Sequence, residues 1–452
     1  MKNMSNVLEG FSKKNKEEKL EVIGNFFKNK TEIIRYFKSF HHQDKAIQEL
    51  IEEFSENTIS NFHLPYSVAP NFLINQKVYT LPMVIEESSV VAAASHSAKF
   101  WFAHGGFKSE IVATEKVGQV HFIWRDNLQL LQSSFAELKK ILISSTDSIT
   151  ENMRRRGGGI TDIILKDLSG EEPGLMQLFC TFETVDSMGA NFINSCLEQF
   201  AITFKKWYAS QPGFSGNGLE IIMCILSNLT PRCRVKCWVE TPVNNFNKAV
   251  PGLSGQEFAR RFYMGVRVAE VDPFRAVTHN KGIFNGVDAI VLASGNDFRA
   301  VEACGHAYAA ATGKYQPLSK VILEKDNFKF ILELPLALGV VGGLTNLHPL
   351  VKLSLELLRH PSAKELMCIA AASGLANNFS AVKSLVTTGI QTGHMKMHLF
   401  NIMKQLEVPE QYKQKIVEHF KHEKVSVSAV RRIVENLKKN EMLTPSEKPV
   451  KI

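Results

Sequence analysis

No stretch of this 452-residue chain is apolar for long enough to cross a bilayer as a helix. The N-terminus, MKNMSNVLEGFSKKNKEEKLEVIGNFFKNK, is charged and has no apolar signal core, which argues against export. Cysteine is scarce: there are seven, with no CxxC pair, and Cys233 and Cys237 lie closest together. Those spacings exclude a disulfide framework and a zinc ribbon, and they predict free thiols. No GxGxxG follows a candidate strand, so the usual dinucleotide fingerprint is missing. There is no internal repeat and no low-complexity tract. A cytoplasmic protein without a structural metal is the expectation.

What is present is ordinary in bulk and unusual in detail. Hydrophobic residues make up 44% and charged residues 22%, as in soluble globular proteins, and the length predicts two or three domains. The net charge of +8 is spread along the chain. It suits polyphosphate ligands and, on charge alone, a nucleic acid equally well. Aromatic and basic residues do not alternate in any RNA-binding pattern, and no nucleic-acid or membrane partner is expected.

Residues 1 to about 55 read as polar helices, with apolar residues at helical spacing in KLEVIGNFF and AIQELIEEF. YTLPMVIEESSVVAAAS gives a short strand, a glutamate pair and a helix start. From about Glu110 to Pro231 strands and helices alternate, with SEIVATEKVGQVHFIW, DIILKDL and LMQLFCTFETV as strands and NFINSCLEQFAITFKKWYAS as an amphipathic helix. Ser254 and Glu257 form a candidate capping box before FARRFYMGV. DAIVLASG reads as a buried strand, followed by the helix DFRAVEACGHAYAAATG, and Pro349 opens another helix. The tail from Gln405 is lysine-rich and helical, and its Pro-containing end, 446–452, reads as disordered.

Several residues carry two readings each. Glu86 and Glu87 stand between a strand and a helix start, where a carboxylate usually caps the helix. Burial among the small residues that follow would instead raise its pKa and make it a general acid. Lys281 lies among His279, Asn280, Asn285 and Asn296, with Asp297 sixteen positions on. Asp297 is a good N-cap for FRAVEA, yet a strand at DAIVLASG would bring the lysine and the aspartate together. His394 and His398 share a helix face in GHMKMH but lack the glutamate and third ligand of a zinc site. Gly389 and Gly393 would hinge His394 as a mobile acid. RRRGGG (Arg154 to Gly159) and DSMGAN (Asp186 to Asn191) are glycine-rich candidates for phosphate approach.

Read together, ENTISNFHLP, PMVIEESSVVAAAS, GGG, DSMGAN, ILSN, DPFRAVTHNKGIFNGVDAIVLASGNDFRAVEACGHAYA, LGVVGGLTNLHP and GIQTGHMKMH resemble the 3-hydroxy-3-methylglutaryl-CoA (HMG-CoA) reductases, specifically the soluble bacterial class II. The motifs occur in family order from about residue 8 to 420. The resemblance implies an α/β (α+β) fold: a large substrate domain around a long central helix (1–112 and 232–387), an inserted ferredoxin-like NAD(P)-binding domain (113–231), and a C-terminal helical flap (388–445). It also implies a homodimer with the active site at the interface, with further assembly to a hexamer in some members.

The resemblance assigns Glu87, Lys281, Asp297 and His394 as catalytic. In this reading Lys281 stabilises negative charge on the carbonyl oxygen, and Asp297 orients it and shares a proton network with Glu87. His394 protonates the leaving CoA thiolate. Ser89, Arg275 and Asn285 would hold the hydroxymethylglutaryl group, and Asp186, Met188, Gly189, Asn191 and Asn228 the nucleotide. The implied reaction reduces HMG-CoA to mevalonate and CoA with two NAD(P)H, by way of a hemithioacetal and mevaldehyde. The alternatives are the oxidative direction and an inactive CoA-binding relative. NAD-preferring members carry an acidic residue a few positions before GGG. Counting back seven from Gly157 reaches uncharged Thr150, although a shift of one restores Glu151. With Arg154, Arg155 and Arg156 next to the glycines, NADPH is expected over NADH. Two departures stand out: Ser88 replaces a proline and Ser60 a glycine of the family motifs.

Overall fold

The computed structural model describes residues 7–247, 250, 252–387, 389, 399–400, 402–420, 423 and 425–443. Among them three small helices, α1 (Lys16–Gly24), α2 (Lys30–Ser39) and α3 (Lys45–Glu52), precede the hairpin β1 (Tyr66–Ile74) and β2 (Lys77–Val84). Then follow α4 (Ser88–Phe102), β3 (Lys108–Thr114), β4 (Lys116–Trp124), α5 (Leu128–Ser144), α6 (Asp147–Arg155), β5 (Gly159–Asp167), β6 (Leu175–Glu183), α7 (Ala190–Ser210) and β7 (Leu219–Ser227).

β8 (Cys233–Pro242), α8 (Gly255–Val271), α9 (Pro273–Ala293), α10 (Phe298–Ala309), β9 (Ser319–Glu324), β10 (Asn327–Pro335), α11 (Pro349–Leu357) and α12 (Ala363–Val386) come next. Two helices, α13 (Glu410–His419) and α14 (Val427–Leu443), lie toward the C-terminus. The fold is mixed α and β, with all strand pairing antiparallel.

Beyond β3, the alternating stretch forms its own sheet, ordered β5-β6-β4-β7. Its chain order is β4, α5 with the short α6, β5, β6, α7, β7, the βαββαβ plan of ferredoxin-like units with one extra helix. No strand here is parallel and followed by a tight glycine turn, which is why a GxGxxG has no place to sit. A separate core of Phe122, Trp124, Phe182, Phe200, Phe204 and Trp207 holds α7 on this sheet.

The larger core gathers around α12, whose residues are buried on all sides. A helix apolar all round must be surrounded by protein, and Ala370 to Ala372 and Gly374 let neighbours approach closely. Ser362 and Glu365 close a reciprocal capping box at its start. Leu399, Ile402, Met403, Tyr412, Ile416 and Val430 form a third, smaller core with α13 and α14.

Two local expectations fail. DAIVLASG is not a strand but the last third of α9, which Asp272 caps and Pro273 opens. The apolar run mimicked a strand because α9 is buried against α12 on one side and β2, α8 and α10 on others. A helix wrapped by neighbours loses its 3.6-residue alternation, and periodicity then cannot tell it from a buried strand. Ser254 does cap α8, accepting the Glu257 N–H at 3.2 Å. The Glu257 carboxylate, however, turns to Arg260 and Arg261 instead of back to the cap. The segment 446–452 lies outside the described residues.

Candidate active site

Lys281 projects from the middle of α9, so it is a helix residue and not a loop cation. Its Nζ lies 3.7 Å from Oε2 of Glu87, which stands at the N-cap position of α4. Glu87 does not cap: its Oε1 instead accepts a hydrogen bond from the Ser89 hydroxyl. The commoner reading of this carboxylate is therefore wrong, and its side chain faces Lys281. Glu87 is not buried among the small residues behind it either, since 38% of its side chain is exposed, as is 64% of Lys281. A pair this open to water is weak by itself.

Asp297 does what its sequence position first indicated. Its Oδ1 accepts the N–H groups of Arg299 and Ala300 at 3.1 and 3.2 Å and caps α10, while Oδ2 meets the Arg299 guanidinium at 3.2 Å. Among the described residues it makes no ion pair with Lys281. A strand at DAIVLASG would have brought the two together within one chain; a helix does not. Ser88 stands at N1 of α4, where a proline would have been accepted, and Ser60 donates to Phe37 O at 2.8 Å. Neither departure disturbs the start of α4.

Arg275 is half-buried in the first turn of α9, and burial pushes its pKa down. Asn285, one turn after Lys281 on the same face, is also half-buried. Neither side chain has a hydrogen-bond or ion-pair partner among the described residues. A half-buried guanidinium without an acid is suited to an incoming carboxylate. His394 and His398 lie outside the described residues.

The DSMGAN turn is held from three sides. Val340 N donates to Asp186 O at 2.8 Å, and Ala363 N, at the start of α12, donates to Asp186 Oδ1 at 2.8 Å. From β4 the buried ammonium of Lys116 donates to the Thr184 hydroxyl and, at 3.0 Å, to Ser187 O. Gly189, at φ 91°, caps α7, and a Cβ there would lie 2.5 Å from Thr184 Cγ2. Only glycine fits both demands.

Beside this turn a cleft is lined by Lys116, Met188, Ala190, Asn228, Ala300 and Cys304, among others. It runs from the turn to the helix that Asp297 caps. An aromatic ring with a polar rim fits such a lining, and this is the observation that suits a nicotinamide. Asn191 is exposed at the start of α7.

The family model for hydroxymethylglutaryl-coenzyme A reductase matches residues 15–399. The chain belongs to this family. It is 35% identical to the 3-hydroxy-3-methylglutaryl-coenzyme A reductase of Archaeoglobus fulgidus over 400 residues, 88% of this chain and 87% of that relative. Among solved structures it is similar to the class II enzyme from Streptococcus pneumoniae bound to NADPH in open conformations. There the TM-score is 0.69 at 33% identity, covering 94% of this chain and 100% of that one. A second structure of the Streptococcus pneumoniae enzyme gives the same TM-score at 32% identity and covers 95% of this chain and 100% of that one.

As an HMG-CoA reductase family member the chain is an oxidoreductase, and within that frame three structural facts qualify the sequence reading. Thr150 is buried and bonds Thr146 O at 3.0 Å inside α6, so its lack of charge reflects packing. Arg154 pairs with Asp147 and Arg155 with Glu151, leaving Arg156 without an acid among the described residues. Sequence reasoning also missed Asp288, two turns beyond Lys281 on α9. Burial, then the neighbouring carboxylate of Glu302, pushes the pKa of Asp288 well above the usual range. Its Oδ1 has no protein donor, so the pair is satisfied only by holding a proton. An aspartate inside a helix carries no sequence signal of that kind, because its partner sits on another helix.

Proposed function

We propose that this chain reduces HMG-CoA to mevalonate and free CoA, with NADPH as the preferred coenzyme over NADH. The observation that carries the reading is the convergence of Lys281, Glu87 and Ser89 from α9 and α4, 194 and 2 residues apart along the chain from Glu87. The A. fulgidus relative and the NADPH-bound S. pneumoniae structure support it.

In the proposed reaction the thioester accepts two hydrides and two protons, and the acyl carbon becomes a primary alcohol while CoA leaves as a thiol. The reduced nicotinamide supplies the hydrides when bound. Lys281 faces the carbonyl oxygen and offers its ammonium to the negative charge that grows there, the arrangement in which a donor contributes most to rate. Ser89 holds the Glu87 carboxylate toward Lys281, and Glu87 exchanges a proton with the oxygen as it becomes a hydroxyl. Arg275 takes the free carboxylate of the substrate and Asn285 its hydroxyl region. His394 protonates the departing thiolate. Asp186, Met188, Gly189, Asn191 and Asn228 hold the nucleotide, and of the three arginines Arg156 is the one free to meet a 2′-phosphate.

In this proposal residues 113–231 form the coenzyme domain, 1–112 and 232–387 the substrate domain, and 388–445 a flap. The protein acts in the cytoplasm as a homodimer with its active site at the interface. The openness of Lys281 and Glu87 and the absence of a Lys281–Asp297 contact within one chain support the interface, where a second copy would supply the missing carboxylate and exclude water. The test of the function is turnover: purified protein with HMG-CoA must consume NADPH and release free thiol in a ratio of two to one. Mevalonate-driven reduction of the oxidised coenzyme alone would instead favour the degradative direction.

A further inference from the structure

Lys116 is the first residue of β4, only 4% exposed, and nothing in the reaction just described uses it. Its ammonium donates to two neutral acceptors, Thr184 Oγ1 and Ser187 O, and makes no ion pair among the described residues. Glu183, Asp186 and Cys233 face it at longer range from β6, the DSMGAN turn and β8, and Cys304 of α10 lies across the cleft. Glu183 spends its carboxylate on the Thr114 hydroxyl and the Val185 N–H, and Asp186 on the Ala363 N–H.

An ammonium has three donors, and two are accounted for. A buried charge left without a counter-ion costs several kcal/mol unless something else compensates it. Lys116 nonetheless lines the cleft with Met188, Asn228 and Ala300. The rest of that lining is largely apolar, with Ala190, Ile193, Leu226 and Val301. This lining suits an aromatic base with one polar edge, and it lies beside the helix that Asp297 caps.

We infer that Lys116 is a binding residue for the reduced nicotinamide nucleotide, its third N–H donating to an oxygen of the nicotinamide mononucleotide half of the coenzyme. The assignment rests on the coenzyme reading of Met188 and Asn228 given above. It gives the lysine two jobs: it braces the turn through Thr184 and Ser187, and it presents a desolvated positive charge to the ligand.

Titration of NADPH into the full-length protein, read by nicotinamide fluorescence or heat, separates these jobs. Lys116→Met should weaken NADPH binding about 10- to 100-fold, the range for a lost hydrogen bond from a charged group. Its melting temperature should change little, because relief of a buried charge offsets the two hydrogen bonds lost from the turn. Thr184→Val removes a brace and keeps the ammonium, so NADPH affinity should stay within about threefold of wild type. In the wild type, burial lowers the Lys116 pKa from its ordinary value. NADPH affinity should therefore fall as the solution turns alkaline, at a pH below that at which an exposed lysine loses its proton, a readout that needs no variant to fold. Unchanged affinity in Lys116→Met, an equal loss in Thr184→Val, or a flat alkaline profile would overturn the inference. Wild-type protein that binds no NADPH would overturn the coenzyme reading beneath it.

Discussion

Asn296 holds both polar groups of Gly339: its Nδ2 donates to Gly339 O at 2.9 Å and its Oδ1 accepts the Gly339 N–H at 2.8 Å. Gly339 in turn lies against the DSMGAN turn, where a Cβ would come within 2.3 Å of Met188 N and 3.0 Å of Ser187 C. The residue before Asp297 is thus tied to the backbone that carries Met188. The DSMGAN turn and the α10 N-terminus are held in register through one glycine.

Gly339→Ala should therefore act on the coenzyme. The atoms met are backbone and cannot rotate away, so the turn must shift, at a cost typical of overpacking, roughly 1–3 kcal/mol. The KM for NADPH should rise at least about tenfold, while the KM for HMG-CoA changes little. Steady-state kinetics with each substrate varied in turn checks this. An unchanged coenzyme KM would contradict the close approach.

Asp288 gives a prediction about pH and stability. Its folded pKa is raised by burial and by Glu302, so the folded state keeps a proton that the unfolded carboxyl loses near pH 4. The stabilisation is complete below that point and is lost as pH rises through the folded value. Asp288→Asn removes the loss and still offers Glu302 a donor. Relative to wild type, it should be near neutral at about pH 5 and more stable by roughly 1–3 kcal/mol at about pH 8. Thermal melts at the two pH values decide it, and a difference that does not grow with pH contradicts the assignment.

Arg156→Ala should lower kcat/KM with NADPH about 10- to 100-fold and leave that with NADH almost unchanged, since only the former carries a 2′-phosphate. The same change in Arg154, already paired with Asp147, should do less. Equal effects on both coenzymes would remove Arg156 from the 2′-phosphate.

His394→Gln should slow thioester reduction by about two to four orders of magnitude, the usual weight of a general acid. Reduction of added mevaldehyde, which has no thiolate to protonate, should be far less affected. Comparable losses in both reactions would sink this division of labour.

Much of this molecule was legible in the sequence because local chemistry agreed with the fold. The strands of the βαββαβ unit alternate, Pro349 opens a helix, and Ser254 caps another. Lys281 and Glu87 were legible as a pair only through motif order, because the residues between them carry no sign that α9 meets α4. DAIVLASG misled because a helix surrounded by protein has no polar face to betray its period. Nothing in the sequence indicates that Thr150 turns its hydroxyl back to the Thr146 carbonyl inside its own helix. Lys116 and the Asp288–Glu302 pair stayed hidden for the same physical reason: what makes each unusual is desolvation by elements distant in the chain.

The most direct test of the central claim follows NADPH absorbance with HMG-CoA present, for wild type and Lys281→Ala side by side. The account predicts HMG-CoA-dependent loss in wild type and a rate lower by about two to three orders of magnitude in the variant, the usual cost of removing an oxyanion donor. Retained near-normal turnover in Lys281→Ala, or no HMG-CoA-dependent oxidation by wild type, would contradict it.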